Sequence, residues 1–256
     1  MDACEFRTHR VAKSRTTQPP RDWPRNERLG RVRRFGHILS IALIVAGLVV
    51  IADVGITLAY EEPLSSIYSS IKQEEAASQL KDLEAQYPTP SERRALAKIK
   101  DPKRRISILA RRFAAQAGTG DAIGRIVAPA MDGLDAVVIQ GTDTASLQKG
   151  PGHYPQTPFP GQGGTVGIAG HRTTYLAPFR HIDSMVAGDR ITLQMPYATF
   201  VYKVQKTAIV DPSDVGIVRK VGYERLVLSA CHPLYSASQR YVVFARMVRE
   251  RIAGGA

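Results

Sequence analysis

The feature that most constrains this chain is an apolar run beginning at Phe35. No Asp, Glu, Lys or Arg occurs in residues 35–52, and the run continues past Asp53 to Tyr60. A helix rises about 1.5 Å per residue, so roughly 20 such residues cross the hydrocarbon layer of a bilayer. No later segment is apolar enough to cover such a helix in a core. The run therefore predicts a transmembrane anchor over residues 36–60, rather than a core helix or a cleaved signal peptide.

A basic tail, residues 1–35, precedes the anchor. Its ten Lys/Arg and four acids give +6, half of the chain's formal charge of +12. The tail has little to bury and is predicted to be disordered. The positive-inside tendency places this tail in the cytoplasm and residues 61–256 outside the cell, as in a single-pass membrane protein. Neither zinc-finger spacing nor an RNA-binding aromatic motif accompanies the charge, so no nucleic-acid partner is expected.

The cysteine pattern points to one unusual thiol. The chain has two cysteines, Cys4 and Cys231, and on this topology they lie on opposite sides of the membrane. They cannot form a disulfide, although exported cysteines are normally paired. Cys231 is therefore either a buried, inert thiol or a reactive one.

The segment after the anchor, residues 61–119, is predicted to form a helical stalk or linker. Residues 63–86 have apolar positions at helical spacing. Ser91 has the character of an N-cap for a second helix that ends near residue 117, interrupted or kinked at Pro102. We interpret this charged pair of helices as a solvated spacer, with a specific partner-binding role as the alternative.

Residues 120–256 have a different character and are predicted to form the catalytic domain. Short segments rich in Val, Ile, Tyr and Phe alternate with Gly/Pro turns, which favours strands. Their regular spacing predicts a mainly β fold, a closed barrel of about 7–8 strands with short helices. The predicted strands are 124–128, 136–140, 164–169, 190–194, 199–210, 225–230 and 240–248, and the predicted helices are 144–149 and 174–184.

Three residues with useful chemistry stand at predicted strand ends. His171 and Cys231 each follow a strand, and Arg240 begins the last one. In acyl transfer a thiolate attacks a carbonyl carbon, an imidazole moves the proton, and a fixed donor stabilises the oxyanion. Each residue alone has a plain structural explanation. Together, in an exported segment with one thiol, they indicate a cysteine acyltransferase.

Residues 124–248 resemble the sortases, most of all the branch called class E and next class D. The likeness rests on GHRTTY at 170–175, APFR at 177–180, LSAC at 228–231, SASQR at 236–240 and GPGHYP at 150–155. It implies a sortase-type β-barrel and a transpeptidase without a cofactor or metal. Such enzymes cleave an LPXTG-like sorting signal after its Thr and hold the product as a thioester. They then pass it to an amine of a cell-wall precursor or of a pilin.

The resemblance also implies residue roles. Cys231 would be the nucleophile, His171 the general acid/base and Arg240 the clamp for substrate and oxyanion, while His153 and Ala230 would line the substrate site. The family pattern Thr-Leu-x-Thr-Cys is here VLSAC, so position 230 offers no hydroxyl to the oxyanion hole, and its backbone N–H together with Arg240 would have to suffice. Two alternatives stay open: a non-catalytic anchored barrel that binds peptide or wall polymer, and a cysteine protease that uses water as acceptor.

Overall fold

The structure, a computed structural model, describes residues 27–60 and 63–253, with side chains described for 33–55 and 65–253. These residues fall into two units, one ending at Ala52 and the other beginning at Asp53. Most of the predicted basic tail, including Cys4, lies outside the described residues. The predicted domain boundaries at residues 35, 60 and 119 stay predictions.

Helix α1, Glu27–Tyr60, contains the apolar run. Among the described helices, its segment Arg33–Gly55 is the one that is long and apolar enough to cross a membrane. None of this segment is buried within the protein, in keeping with a surface suited to lipid. Length and composition thus support a membrane anchor at this position.

The second unit is built on a closed barrel of eight strands. The order around the barrel is β1-β2-β3-β4-β7-β8-β6-β5, and β5 pairs with β1 to close it. The pairs β2–β3 and β4–β7 are parallel, and the other pairs are antiparallel. The predicted mainly β barrel is confirmed. Its strands are β1 Ala122–Ala128, β2 Leu134–Gln140, β3 Gly152–His153, β4 Thr165–Ala169, β5 Arg190–Met195, β6 Ala198–Val210, β7 Arg225–His232 and β8 Gln239–Ile252.

The pleat of β7 divides its side chains between two apolar clusters. Leu226 and Leu228 belong to the main core inside the barrel. Val227 belongs to a second cluster on the outer face, with Val242 and Phe244 of β8. Successive side chains of a strand point to opposite faces, so this alternation assigns an inward or outward side to every residue of the strand.

Helices α3, Pro90–Ala97, and α4, Pro102–Ala114, pack against the barrel. Leu96, Ile106 and Phe113 are buried in the same core cluster as the strands. The two helices are therefore not the predicted solvated spacer. Charged residues dominate their composition, but one face of each helix is apolar and packs on the barrel. The caps also differ from prediction: Thr89, rather than Ser91, caps α3, and Asp101 starts a separate helix.

Helix α2, Pro63–Gln86, packs along β1 and β2. Its Gln73 side chain accepts from the backbone N–H of Val137 (2.8 Å) and donates to the carbonyls of Val137 (3.1 Å) and Lys149 (2.7 Å). Strand β2 pairs with β3 only at its last two residues, so the Gln73 amide supplies strand-like bonds where β3 is absent. The helix is therefore bonded to the barrel and is not a free spacer.

Two helices were predicted inside the barrel sequence. The first is present as α5, Thr144–Lys149. The second, over residues 174–184, was wrong: only a 3₁₀ turn, Ile182–Ser184, forms there. Tyr175, Leu176 and Ala177 have positive φ values of 53°, 61° and 39°, and Pro178 disfavours a helical conformation at the residue before it. A further 3₁₀ turn, Val215–Val218, lies between β6 and β7.

Candidate active site

The strand register brings the three sequence-predicted residues to one rim of the barrel. In the parallel pair β4–β7, Ala169 lies opposite Ser229. His171 and Cys231 each follow two residues later, at the same level of the two chains. In the antiparallel pair β7–β8, Cys231 lies opposite Arg240. The trio is thus assembled from three adjacent strand ends.

Cys231 has a free thiol and is half-buried. Because side chains alternate along a strand, Cys231 is on the same outer face of β7 as Val227. Arg240 is likewise on the same outer face of β8 as Val242. Ala230 has the opposite parity and is 3% exposed in the main core. Its methyl group therefore points away from the thiol, and only its backbone is placed to contact a substrate.

His171 stands just beyond β4 and is half-buried. The ladder continues past the strand, because Gly170 N–H donates to the Ser229 carbonyl at 3.1 Å, and the His171 carbonyl accepts from Phe179 N–H at 2.9 Å. Burial lowers the pKa of the imidazole, which favours its neutral form. Within the described part of the chain, its Nε2 is buried without a hydrogen-bond partner. The Tyr175 ring lies against the imidazole, with centroids 5.2 Å apart.

Arg240 is anchored through one of its terminal nitrogens. Nη1 donates to the carbonyls of Ala237 and Gln239, each at 2.9 Å. These two bonds fix the guanidinium on the loop between β7 and β8. Nε and Nη2 have no hydrogen-bond partner among the described residues, so their N–H groups remain available to an oxyanion.

The sequence comparisons agree with this arrangement. A sortase-domain family model matches residues 126–248. Sortase D of Bacillus subtilis is 33% identical to the chain over 134 residues, which are 51% of this chain and 66% of that protein. By this match, residues 126–248 are a sortase domain.

Solved sortase structures extend the comparison. Sortase E1 of Streptomyces coelicolor, crystallised with a tripeptide in its active site, is 28% identical, with a TM-score of 0.50 over 55% of this chain and 97% of that one. A Clostridium perfringens Sortase D5 transpeptidase shares the fold, at 21% identity and a TM-score of 0.55 over 70% of this chain and 99% of that one. The matched segments span 32% to 66% of the curated relatives' length.

One residue at the sortase site was missed by the sequence analysis, which quoted Arg172 in a motif and gave it no role. Arg172 is 2% exposed. It donates to the Arg180 carbonyl from Nε (3.2 Å) and Nη2 (3.1 Å), and Nη2 also pairs with the Asp183 carboxylate at 2.7 Å. Nη1 lies 3.4 Å from the Cys231 carbonyl and 3.3 Å from Nδ1 of His232. Arg172 thereby ties the histidine loop to the end of the cysteine strand.

His232 lies on the other side of β7 from the thiol, as the pleat predicts. Its ring is near that of Tyr241, with centroids 5.8 Å apart, and Tyr241 packs against the main core. The Nδ1 atom of His232 lies against the buried Arg172 guanidinium, so the imidazole is held on the inner side of the rim. It is therefore poorly placed to replace His171 as a base for Cys231.

His153 is a structural residue in the described fold rather than a surface of the groove. It is 1% exposed, and burial lowers its pKa to about 4. Nδ1 is 2.8 Å from the Gln140 side-chain oxygen, and Nε2 is within 3.1 Å of the Thr157 hydroxyl and 3.3 Å of the Pro158 carbonyl. Both ring nitrogens therefore have protein partners, which leaves neither for a substrate.

The neighbouring Tyr154 lies on the outer face beside the cysteine strand. Its hydroxyl is 2.8 Å from the hydroxyl of Ser229, which has the same parity as Cys231. A Cβ added at Gly167 would lie 2.6 Å from the Tyr154 ring, so the glycine makes room for this side chain. The motif at 150–155 therefore matters through Tyr154 more than through His153.

The chain between β6 and β7 covers the adjacent part of the outer face. Arg225 holds it by donating from Nη2 to the carbonyls of Ile217 (2.7 Å) and Arg219 (3.0 Å). The Thr165 hydroxyl also donates to the Arg219 carbonyl, at 2.8 Å. These bonds make a fixed wall next to the strand that ends at Cys231.

Proposed function

We propose that this chain is a membrane-anchored transpeptidase that cleaves an LPXTG-like sorting signal after its Thr and transfers the acyl group to an amine. The observation that carries the proposal is the strand register, which places Cys231 level with His171 and opposite Arg240. A nucleophile, a proton carrier and an oxyanion donor from three adjacent strand ends are the groups that acyl transfer requires.

The first half-reaction forms a thioester. The Cys231 thiolate attacks the Thr carbonyl carbon, and the carbonyl oxygen becomes an oxyanion that the free N–H groups of Arg240 stabilise. The C–N bond to Gly then breaks as the protonated His171 gives its proton to the departing amine. The products are a Thr thioester on Cys231, a free Gly amine and a neutral His171.

The second half-reaction passes the acyl group to the acceptor. A neutral amine attacks the thioester carbonyl, and His171 takes the proton that the nitrogen loses. The C–S bond breaks and releases the Cys231 thiolate, with His171 protonated again. The enzyme returns to its starting state without a cofactor.

The proposed partners are those that the resemblance to the sortases implies. The donor is a surface protein with a sorting signal, and the acceptor is an amine of a cell-wall precursor or of a pilin. A tripeptide occupies the active site of the similar Sortase E1 structure, which supports a peptide substrate. We place the tail before α1 in the cytoplasm and the barrel outside the cell, since basic residues cluster before the apolar segment.

The test uses the full-length chain in detergent, an LPXTG-like peptide and a diamine or short oligoglycine acceptor. Cys231→Ala and His171→Ala should each abolish the amide product, while His181→Ala, which alters an exposed histidine beside Asp132, should not. Arg240→Ala should lower kcat by about 10²-fold, the usual effect of losing one oxyanion donor. Wild-type turnover in either of the first two variants would refute the mechanism.

The same assay separates the two alternatives. A cysteine protease would give only the hydrolysed acid, even with the amine present. A non-catalytic binding barrel would give neither product, and its Cys231 would not react with a methanethiosulfonate reagent. Amide formed in proportion to acceptor concentration supports the transpeptidase.

A further inference from the structure

The imidazole of His171 has few polar contacts to fix its direction. Its Nε2 is buried without a hydrogen-bond partner in the described chain. A histidine that moves protons works at one geometry, which a neighbouring group normally fixes by a hydrogen bond. Here the group in contact is the Tyr175 ring, 5.2 Å away between centroids and inclined at 43°.

The backbone that carries this ring is strained. Tyr175, Leu176 and Ala177 follow one another in the left-handed region, with φ values of 53°, 61° and 39°. Each such residue other than glycine costs on the order of 1–3 kcal/mol, so the conformation persists only where its surroundings hold it. Strain of this kind clusters at functional sites.

The contacts that hold Tyr175 come from two helices outside the barrel wall. The Tyr175 N–H donates to the Ser65 hydroxyl of α2 at 3.3 Å. Its phenol oxygen accepts from the Gln148 side-chain amide of α5 at 3.0 Å. The Ser69 hydroxyl of α2 donates to the Gln148 carbonyl at 2.7 Å, which joins the two helices.

Packing alone does not hold the ring in place. A groove of about 310 Å³ lies between α2 and this loop, lined in part by Ser70, Gln73, Tyr175, Leu176 and Pro178. Tyr175 lines this groove and His171 does not. The Gln148 bond therefore fixes the phenol end of the ring, and the bond from the Tyr175 N–H to Ser65 fixes the backbone that carries it.

We propose that Tyr175 is a positioning residue for His171, and that α2 belongs to the catalytic unit because it holds Tyr175. This proposal rests on the proposed function for the role of His171. It gives the helix that follows the anchor a direct effect on the chemistry at the rim.

The principal test compares Tyr175→Ala with Tyr68→Ala, which removes a tyrosine that is 45% exposed on α2. Tyr175→Ala should lower kcat by about 10- to 100-fold with KM little changed, because a small misplacement of a catalytic group has effects of this size. Tyr68→Ala should behave like the wild type. Tyr175→Phe keeps the ring and loses the bond to Gln148, so it should show a smaller loss.

A second readout does not depend on turnover. Burial lowers the pKa of His171, and loss of the Tyr175 ring exposes the imidazole, so this pKa should rise toward its ordinary 6.5. NMR titration of histidine-labelled full-length chain measures it, with the His171 signal assigned by its absence in His171→Ala. If Tyr175→Ala does not fold, Ser65→Ala combined with Gln148→Ala carries the test, with the same direction of change in kcat and pKa.

The outcomes separate the two proposals. An unchanged kcat together with an unchanged His171 pKa in Tyr175→Ala, or in the double variant that replaces it, overturns the positioning role. A wild-type chain that forms no amide refutes the proposed function, and the NMR shift then decides the contact between Tyr175 and His171 by itself.

Discussion

Arg172→Ala is expected to destabilise the barrel more than the loss of a surface charge. The side chain is 2% exposed, and its polar partners include the Asp183 carboxylate and the carbonyls of Arg180 and Cys231, which contribute unequally to stability. The Asp183 carboxylate is 47% exposed, so solvent screens that ion pair and it contributes about 1 kcal/mol or less. Hydrogen bonds from a charged donor to the Arg180 and Cys231 carbonyls contribute about 1.5–3 kcal/mol each at good geometry.

The bond to the Cys231 carbonyl is long, at 3.4 Å, and is counted at the low end. With both carbonyls at the low end of that range and the screened ion pair neglected, the expected loss is about 3 kcal/mol in the free energy of unfolding. For a unit of this size, about 2–4 °C in Tm accompany each kcal/mol, so Tm should fall by about 6–12 °C. Arg172→Lys should lie between, because one ammonium group cannot reach all the acceptors of the planar fork.

Urea and thermal unfolding of the full-length chain in detergent measure this loss. The matched control is Arg112→Ala, which removes a 59%-exposed arginine paired with Glu92 and should cost about 1 kcal/mol or less. If Arg172→Ala is no more destabilising than Arg112→Ala, Arg172 does not tie the histidine loop to β7. A normal stability combined with lost transfer activity would instead assign Arg172 to the chemistry.

Two further predictions concern the elements beside the rim. Gly167→Ala should lower the free energy of unfolding by about 1–3 kcal/mol, because the added methyl would lie 2.6 Å from the Tyr154 ring and force it to move. Urea unfolding measures this loss, and an unchanged midpoint would contradict the packing of Tyr154 against Gly167. Burial lowers the pKa of His153 from 6.5 to about 4, so the unfolded state binds more protons between these values. The contribution of neutral His153 to the free energy of unfolding is fully present above pH 6.5. It is lost, by about 3 kcal/mol, as the pH falls from 6.5 through 4, and His153→Gln should remove this pH dependence.

The barrel could be predicted because a short local pattern of residues marks each strand. Alternating Val, Ile, Tyr and Phe with Gly/Pro turns marks strands, and eight strands close as expected. The pleat then decides which face each residue takes. A slip of one residue in the β7–β8 register would exchange the sides of Cys231 and Ala230. The sequence indicated the strand ends, whereas the side on which the thiol lies depends on a pairing that no local pattern specifies.

Helix α4 carried a signal that the composition concealed. Ile106, Leu109, Ala110 and Phe113 recur at spacings of three and four, the pattern of one buried helical face. The Lys and Arg residues between them made the segment resemble a solvated spacer. In this segment the spacing of the apolar residues, rather than the total charge, predicts the packing.

The residues that position the site had no such local signal. Arg172 reaches a carbonyl 59 positions away, and Tyr175 is held by Ser65, 110 positions away. A lone Arg after a His, or a Tyr in a loop, has the same local pattern whether or not those contacts form. The three reactive side chains lie at three strand ends, but their orientation also depends on contacts with helices that come earlier in the chain. A barrel with the same strand ends but without α2 would therefore keep the thiol, imidazole and guanidinium, yet lose the Ser65 contact that holds Tyr175 against His171.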